Sequence, residues 1–326
     1  MRKKYFNWSI VGHSHILEAL SAAILNNRLS HAYLFWGPSG LGKMTTALQL
    51  AQILQCQSKD KKPCLKCAAC QQIQNRLHPD TQIIEDKESI NIEEIRMLQH
   101  NLSLNPYNSP YKIAILDNAS AMTFEAQNAF LKTLEEPPGK TIIILINKED
   151  AGLLPTIISR CQIIGFSLVA KEQIKEFLKS KFSQLKDQQL EELARLAGGR
   201  PGLALRMVDN SELVEQRKEI VKFFSCLPEN SYLERFNWLS QSSKDKKATE
   251  LLLEFLLTWF RDLLLLKLGL IDLITNITHL SLLKKEASLY KIPEIKKIIN
   301  KILKTQESLK YNANLKLLLE SLFLFI

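Results

Sequence analysis

The stretch Gly37-Pro38-Ser39-Gly40-Leu41-Gly42-Lys43-Met44-Thr45 follows the apolar run from Ala32 to Trp36 and precedes a helical pattern. This order predicts a strand, a phosphate-binding loop and a helix. Backbone N–H groups of such a loop close around phosphates, and the helix N-terminus adds its positive dipole end. The residues expected to contact a nucleotide are Gly37, Gly40, Gly42, Lys43 (on the β- and γ-phosphates) and Thr45.

Met44 departs from the pattern of an active phosphate loop. The residue after the lysine normally carries a hydroxyl that holds Mg²⁺, whereas a thioether is a soft and weak ligand for this hard cation. Thr45 keeps a hydroxyl, but one residue further along a helix it points about 100° away. The sequence therefore predicts a degenerate nucleotide site and leaves open whether it binds ATP and Mg²⁺.

Four further apolar runs follow the phosphate loop at helix-length intervals, at residues 81–85, 112–117, 141–146 and 162–166. Near-continuous apolar strands that alternate with helices predict a parallel sheet covered on both faces. Ligands of such sheets lie beyond the carboxyl ends of the strands, where the phosphate loop already is. The pattern is helical from 169 to 210, and a further helical block begins at Ser211.

The composition is that of a globular protein, with 46% hydrophobic residues, 24% charged residues and a formal charge of +9. The charge suits either work near nucleic acid or a generally solvated basic surface. The basic N-terminus precedes no apolar segment long enough for a signal peptide, so we expect a cytoplasmic protein. The apolar segment 251–274 contains Glu254, Arg261, Asp262 and Lys267, which favours a bundle helix over a membrane span.

Four of the six cysteines, Cys56, Cys64, Cys67 and Cys70, are clustered within a polar segment, and Cys161 and Cys226 stand alone. Four thiolates at this spacing predict a closed tetrahedral Zn²⁺ site, which is structural. Bound zinc would fold a segment that is too polar to fold by itself. The alternative is a surface loop with free thiols.

Two strands end in polar residues that could belong to the nucleotide site. Asp117 stands where a nucleotidase places the carboxylate that holds the metal, but Asn118 occupies the position of the glutamate that activates water. An amide forms hydrogen bonds but cannot act as a base. Asp117 alternatively caps the following helix, and Asn147 either contacts a γ-phosphate or only ends its strand.

Arg160 lies in Ser159-Arg160-Cys161, just before the fifth apolar run. It either pairs with a local carboxylate, as surface arginines commonly do, or reaches a neighbour's nucleotide as an arginine finger. Spacing by itself favours the local pair.

Five motifs together resemble bacterial clamp-loader subunits, the AAA+ subunits of DNA polymerase III. They are His31-Ala-Tyr-Leu-Phe35, the four-cysteine insertion, Asn128-Ala-Phe-Leu-Lys-Thr-Leu-Glu-Glu-Pro-Pro138, Ser159-Arg-Cys161 and Asn312-Ala-Asn-Leu-Lys-Leu-Leu-Leu-Glu320. The resemblance implies an α/β AAA+ P-loop module at 1–167 with a zinc-binding insertion at 56–70, a helical lid at 168–210 and an all-α collar at 211–326. It also implies an assembly of five subunits that, driven by ATP, opens the sliding clamp and closes it around primed DNA.

Within this family, three departures from the pattern of an active ATP site make the chain similar to the delta prime type of subunit, which generally does not hydrolyse ATP. They are Met44, Asn118 and Gly202, which stands roughly where the lid's nucleotide-sensing arginine is expected. In the family, the arginine at the position of Arg160 acts on the next subunit's ATP, so the resemblance favours a role in trans. It implies gamma/tau-like ATPase subunits, a delta subunit, the sliding clamp and primer-template DNA as partners. The alternatives are a gamma/tau-like ATPase with an atypical phosphate loop and a zinc-containing nucleic-acid adaptor outside replication.

Overall fold

The computed structural model describes residues 6–58, 60–85, 87–107, 109–148, 152–225, 237–239, 246–309 and 314–326. The chain forms two compact units, the first comprising Met1–Ser183 with Gly199–Leu203 and the second Gln184–Gly198 with Ala204–Ile326. The residues of the predicted lid are divided between these units. The three-part division into AAA+ module, lid and collar therefore stays a prediction.

The first unit contains a five-stranded parallel sheet, as the sequence predicts. The strands are β1 Ala32–Trp36, β2 Thr81–Ile84, β3 Lys112–Leu116, β4 Thr141–Asn147 and β5 Gln162–Gly165. Their order across the sheet is β2-β3-β4-β1-β5. Each strand pairs in parallel with its neighbours, and the end of β1 aligns Trp36 with Asn147.

Helices cover the central strands of this sheet on both faces. The helices that lie wholly in the first unit are α1 Ser14–Leu25, α2 Lys43–Gln55, α3 Ala68–Gln74, α4 Ile92–Ser103, α5 Phe124–Glu135, α6 Pro155–Ile158 and α7 Lys171–Lys181. Side chains alternate along each strand, so Tyr33 and Phe35 pack with α1 and α2 on one face. Ala32 and Leu34 pack with α4, α5 and α6 on the other.

The edge strand β5 differs from the prediction that apolar strands are covered on both faces. Three of its four residues are exposed, and Ile163 is 54% exposed. Among the described residues, the strand has one sheet neighbour, β1. Its apolar sequence therefore reflects strand propensity more than burial.

The boundaries of two helices follow local signals in the sequence. Asn91 and Glu94 form the predicted capping box at the start of α4, because each side chain accepts a hydrogen bond from the other's backbone N–H at 3.0 Å. Helix α5 ends at Glu135, immediately before Glu136 and the two prolines at 137 and 138, which cannot continue a helix.

The second unit is helical around its own apolar core. The other α-helices whose two ends lie in the described part of the chain are α8 Asp187–Leu196, α9 Pro201–Asp209, α10 Ser211–Ser225, α11 Lys246–Lys267, α12 Leu280–Leu289, α13 Ile292–Ser308 and α14 Leu315–Phe323. Helix α11 contributes Trp259, Leu256 and Leu253 to the core, each fully buried. This burial confirms the predicted bundle helix.

None of the helices in the described parts of the chain is long and apolar enough to cross a membrane. The cytoplasmic location expected from the sequence stays a prediction.

Asn314 of the predicted collar motif caps α14, since its side chain accepts a hydrogen bond from the N–H of Leu317 at 3.3 Å. Asn312 and Ala313 of that motif, and Cys226, lie outside the described residues.

Candidate nucleotide loop, cysteine cluster and rim arginine

The phosphate loop joins β1 to α2, as predicted, and closes around its own lysine. Gly37, Gly40 and Gly42 all have positive φ, at 135°, 82° and 86°. Gly37 has no room for a side chain, because a Cβ there would lie 2.3 Å from the carbonyl oxygen of Phe166. This backbone turns two loop carbonyls inward, and the buried Lys43 Nζ donates to both, to Gly37 O and, at 2.6 Å, to Pro38 O. The ammonium that would bind phosphate is therefore already hydrogen-bonded within the loop.

Burial and nearby charges set the protonation of Lys43. Burial lowers the pKa of its amine to about 8, partly offset by the attraction of Asp117 and reinforced by repulsion from Lys148. The attraction places Asp117, after β3, in the electrostatic neighbourhood of the loop. Lys43 still carries most of its positive charge at neutral pH.

Met44 and Thr45 point in different directions from the first turn of α2. Met44 packs against the apolar core between α1, α2 and the sheet, whereas Thr45 is exposed. The next hydroxyl, Thr46 Oγ1, donates to Gly42 O at 2.8 Å within the helix. The position that normally offers a hydroxyl to Mg²⁺ therefore presents a thioether that contributes to packing.

The segment 199–203 lies against the phosphate loop. The N–H of Gly202 donates to Gly40 O at 2.8 Å, and a Cβ at Gly202 would lie 3.1 Å from that oxygen. The Cβ of Arg200 lies 3.4 Å from the place where a Cβ of Gly40 would be. Gly202 therefore fits because it has no side chain, and Arg200 is the arginine nearest the loop in this segment.

Asp117 and Asn118 follow β3 at the carboxyl edge of the sheet. Asp117 Oδ1 accepts a hydrogen bond from the N–H of Asn118 at 3.0 Å, and Asn118 Oδ1 accepts one from Ser120 Oγ at 3.0 Å. Asn118 has a φ of 58°, a left-handed conformation that asparagine tolerates better than most residues. Asn147, 2% exposed, ends β4 beside Trp36 and therefore lies next to the start of the loop.

The four predicted cysteine ligands converge between α2 and α3. The Sγ atoms of Cys56, Cys64, Cys67 and Cys70 all lie within 4.8 Å of one another. A tetrahedral Zn²⁺ site with Zn–S bonds of about 2.3 Å separates its sulfurs by about 3.8 Å. The cluster therefore fits a metal ion with small side-chain movements.

Backbone N–H groups point at the sulfurs of this cluster. Cys64 N donates to Cys56 Sγ at 3.4 Å, and Cys67 N donates to Cys64 Sγ at 3.3 Å. Hydrogen bonds from the N–H groups of Lys66 and Cys67 lower the pKa of the Cys64 thiol to about 6. Burial raises the pKa of Cys56 and Cys70, on the inner side of the cluster.

Arg160 follows the short helix α6 and is held at two points. Its Nη1 donates to the carbonyl oxygen of Thr156 at 2.9 Å, and its Nη2 donates to Glu135 Oε1 at 2.5 Å. The side chain of Arg160 is 34% exposed and that of Glu135 49%. The local ion pair that spacing favoured is therefore present, and the guanidinium still faces solvent.

The sheet separates Arg160 from the phosphate loop of its own chain. Arg160 lies two residues before β5, whose first residue, Gln162, pairs with Tyr33 near the start of β1. The loop follows Trp36 at the other end of β1, about 10 Å further along a strand. Since β1 and β5 are parallel, Arg160 lies near the amino ends of the strands and the loop lies at their carboxyl ends.

Comparison with known proteins places this chain in a family. A sequence model of the family described as "DNA polymerase III, delta subunit" matches residues 12–170, and a model of the C-terminal part of the delta subunit matches residues 211–326. "DNA polymerase III subunit delta'" of Bacillus subtilis is 30% identical over 319 residues, which cover 95% of each chain. The chain belongs to the delta prime family of DNA polymerase III subunits.

Other subunits of the same polymerase are also similar to this delta prime family member. DNA polymerase III subunit tau of Bacillus subtilis is 32% identical over 282 residues, which cover 79% of this chain and 50% of tau. The solved structure of a gamma subunit-related protein from Thermotoga maritima is 21% identical, with a TM-score of 0.45, and covers 94% of this chain and 97% of that one. The delta prime subunit of Bacillus subtilis, at 30% identity over 95% of each chain, confirms the family predicted from the motifs.

Sequence reasoning missed two residues in this delta prime family member. Glu135 is the partner of Arg160, and the sequence feature that could have drawn attention to Glu135 is its place in the motif that ends at Pro138. Arg200 lies against the phosphate loop, and the signal was its place between the glycines at 199 and 202. Neither contact follows from spacing, because each joins segments distant in the chain.

Proposed function

We propose that this chain is a clamp-loader subunit that does not hydrolyse ATP itself and supplies Arg160 to the ATP site of a neighbouring subunit. As a delta prime-like member of its family, it would assemble with gamma/tau-like ATPase subunits and a delta subunit in the cytoplasm. The assembly would load the sliding clamp onto primer-template DNA. The observation that carries the proposal is that Arg160 lies near the amino ends of the strands, whereas the chain's own phosphate loop lies at their carboxyl ends.

Two residues of the nucleotide site support the absence of hydrolysis. Met44 packs into the core instead of offering a hydroxyl to Mg²⁺. Asn118 cannot take a proton from water, and loss of a general base typically costs about 10²–10⁴-fold in rate.

The geometry around Arg160 supports a role in trans. The Arg160 side chain is about one-third exposed near the amino ends of the strands, where it can meet charge on another subunit. The phosphate loop of the same chain lies at the far end of β1. The planar fork of Arg160 matches the oxygens of a transferring phosphoryl group, and an arginine finger contributes roughly 10³–10⁵ in rate at the site it completes.

The four cysteines would hold one structural Zn²⁺. All four ligands come from protein, so no coordination position is left for water or substrate, which is the arrangement of a structural site. The ion would fix the loop between α2 and α3, whose polar sequence offers little apolar surface to bury.

ATP turnover separates the proposal from its main alternative. The chain alone is expected to hydrolyse ATP at background rate, and the complex with its cognate ATPase subunits, delta, clamp and primed DNA is expected to turn over and to slow when it contains Arg160→Ala. Brisk hydrolysis by the chain alone would favour a gamma/tau-like ATPase.

A further inference from the structure

The guanidinium of Arg160 is held by one carboxylate and one carbonyl. Glu135 Oε1 accepts from Nη2 at 2.5 Å and Thr156 O accepts from Nη1 at 2.9 Å. Because the guanidinium is planar, fixing two of its N–H groups fixes the orientation of the whole fork. An arginine has five N–H donors. The two hydrogen bonds that Arg160 forms among the described residues use two of these donors, and three remain for a further acceptor.

The two elements that carry this pair are locked together. The buried Gln127 of α5 donates from Nε2 to Gly152 O at 2.7 Å and accepts from the N–H of Leu154 at 2.8 Å. Leu134 and Ile157, close in sequence to Glu135 and Arg160, are buried in the same apolar core. The base of each side chain therefore has a fixed position relative to the other.

Stability of the fold does not account for a carboxylate at this position. Glu135 is the last residue of α5, and the negative end of the helix dipole disfavours an acid there. An ion pair between side chains this exposed contributes little to stability. The carboxylate has a specific partner, however, and that partner is the residue proposed to act on a neighbour's ATP.

We infer that Glu135 is a positioning residue that orients Arg160 for its role in trans. The inference rests on the proposed function of Arg160. Glu135 does not touch the nucleotide in this scheme. It holds one edge of the guanidinium and so directs the other edge away from the chain toward a neighbouring subunit.

The expected effects follow from the hydrogen bond. Glu135→Ala removes one of the two anchors, and misplacing a catalytic group by a fraction of an ångström is costly, so the rate at the ATP site that Arg160 completes should fall about two- to fivefold, and kcat of the assembled complex should fall by no more than with Arg160→Ala. The KM for ATP should stay within about twofold, because the loss affects the transition state and not the binding of substrate. Glu135→Gln keeps an acceptor oxygen and should restore most of the activity.

The test uses the complete complex of cognate subunits, clamp and primed DNA, reconstituted with wild-type chain, Glu135→Ala, Glu135→Gln, Arg160→Ala or the double variant. Glu136→Ala is the matched control, since Glu136 is the exposed carboxylate next along the chain at the same helix end. Gel filtration establishes that each complex assembles. In the Arg160→Ala background, Glu135→Ala should have no further effect.

The possible results are distinct. If Arg160→Ala leaves turnover and clamp loading unchanged, the proposed function is wrong and the inference is wrong with it. If Arg160→Ala is impaired but Glu135→Ala matches Glu136→Ala, the proposed function stands and Glu135 has no positioning role. Faster turnover of Glu135→Ala would mean that Glu135 restrains Arg160, which also overturns the inference.

Discussion

The backbone N–H of Gly202 donates a hydrogen bond to the carbonyl oxygen of Gly40 across 2.8 Å. A side chain at Gly202 would lie against the phosphate loop, since its Cβ would be 3.1 Å from that oxygen. Gly202, which stands roughly where a nucleotide-sensing arginine is expected, instead contacts the loop through its backbone. Together with the Lys43 contacts, this hydrogen bond stabilises the loop in a conformation that satisfies its own polar groups.

The purified chain should hydrolyse ATP no faster than background, and Met44→Thr or Asn118→Glu alone should rescue little. Each variant restores one of the missing functions, Mg²⁺ coordination or water activation, while the other stays absent. Steady-state ATPase assays of the three proteins check this. A single substitution that brings turnover near that of a clamp-loader ATPase would show that the other departure is harmless.

Arg160→Ala and Arg160→Lys should both fold, keep zinc and join the complex, while ATPase and loading activity of that complex fall. The affected site should lose roughly 10³–10⁵ in rate, and total turnover should fall less because other ATP sites are intact. Lysine should not substitute, because it lacks the planar fork. Clamp loading onto primed DNA is the measurement, and a wild-type rate with either variant would leave Arg160 as a partner of Glu135 only.

Protein purified without chelator should carry one Zn²⁺ per chain on Cys56, Cys64, Cys67 and Cys70. Removing the metal should unfold the insertion at 56–70 and leave the sheet intact, because all four ligands lie outside the strands. Metal analysis gives the stoichiometry, and amide hydrogen exchange compares the insertion with β1 and β4. Cys161→Ser is the matched control and should keep its zinc. Well under one zinc per chain would contradict the site.

Glu286→Gln should stabilise the protein at pH 8 and have little effect at pH 5. Burial raises the pKa of Glu286 from 4.5 to about 7, although Trp259 Nε1 donates to its Oε2 at 2.7 Å. At a pH between about 4.5 and about 7, the unfolded chain has released the proton of Glu286 while the native chain retains it. The free energy of unfolding therefore falls as pH rises from about 4.5 to about 7, by up to ~3 kcal/mol.

Glutamine keeps an acceptor for Trp259 and cannot ionise, so the variant lacks this pH dependence. Its gain at pH 8 should be about 1–3 kcal/mol, because it avoids the ionisation penalty but places an amide N–H₂ where Oε1 has no hydrogen-bond partner among the described residues, which reduces the gain. Urea unfolding at pH 5 and pH 8 measures the difference. Equal shifts at both pH values would mean that Glu286 does not titrate in this range.

Local patterns in the sequence were sufficient to predict the parallel sheet and the phosphate loop. Apolar runs of strand length, the glycines of the loop and the capping box at Asn91 each act through neighbouring residues and backbone conformation. The cysteine spacing likewise predicted which thiols would converge. The family followed from motifs whose residues lie next to one another in the chain.

Contacts between distant segments required the tertiary structure. The parallel pairing of β5 with β1 sets the register that puts Arg160 near the amino ends of these strands and the phosphate loop at their carboxyl ends. Packing of α5 against α6 brings Glu135 to Arg160, and the fold of residues 199–203 onto the loop brings Gly202 to Gly40. Sequence spacing sets the direction of a side chain within one element, whereas the meeting of two elements depends on how the whole apolar core packs.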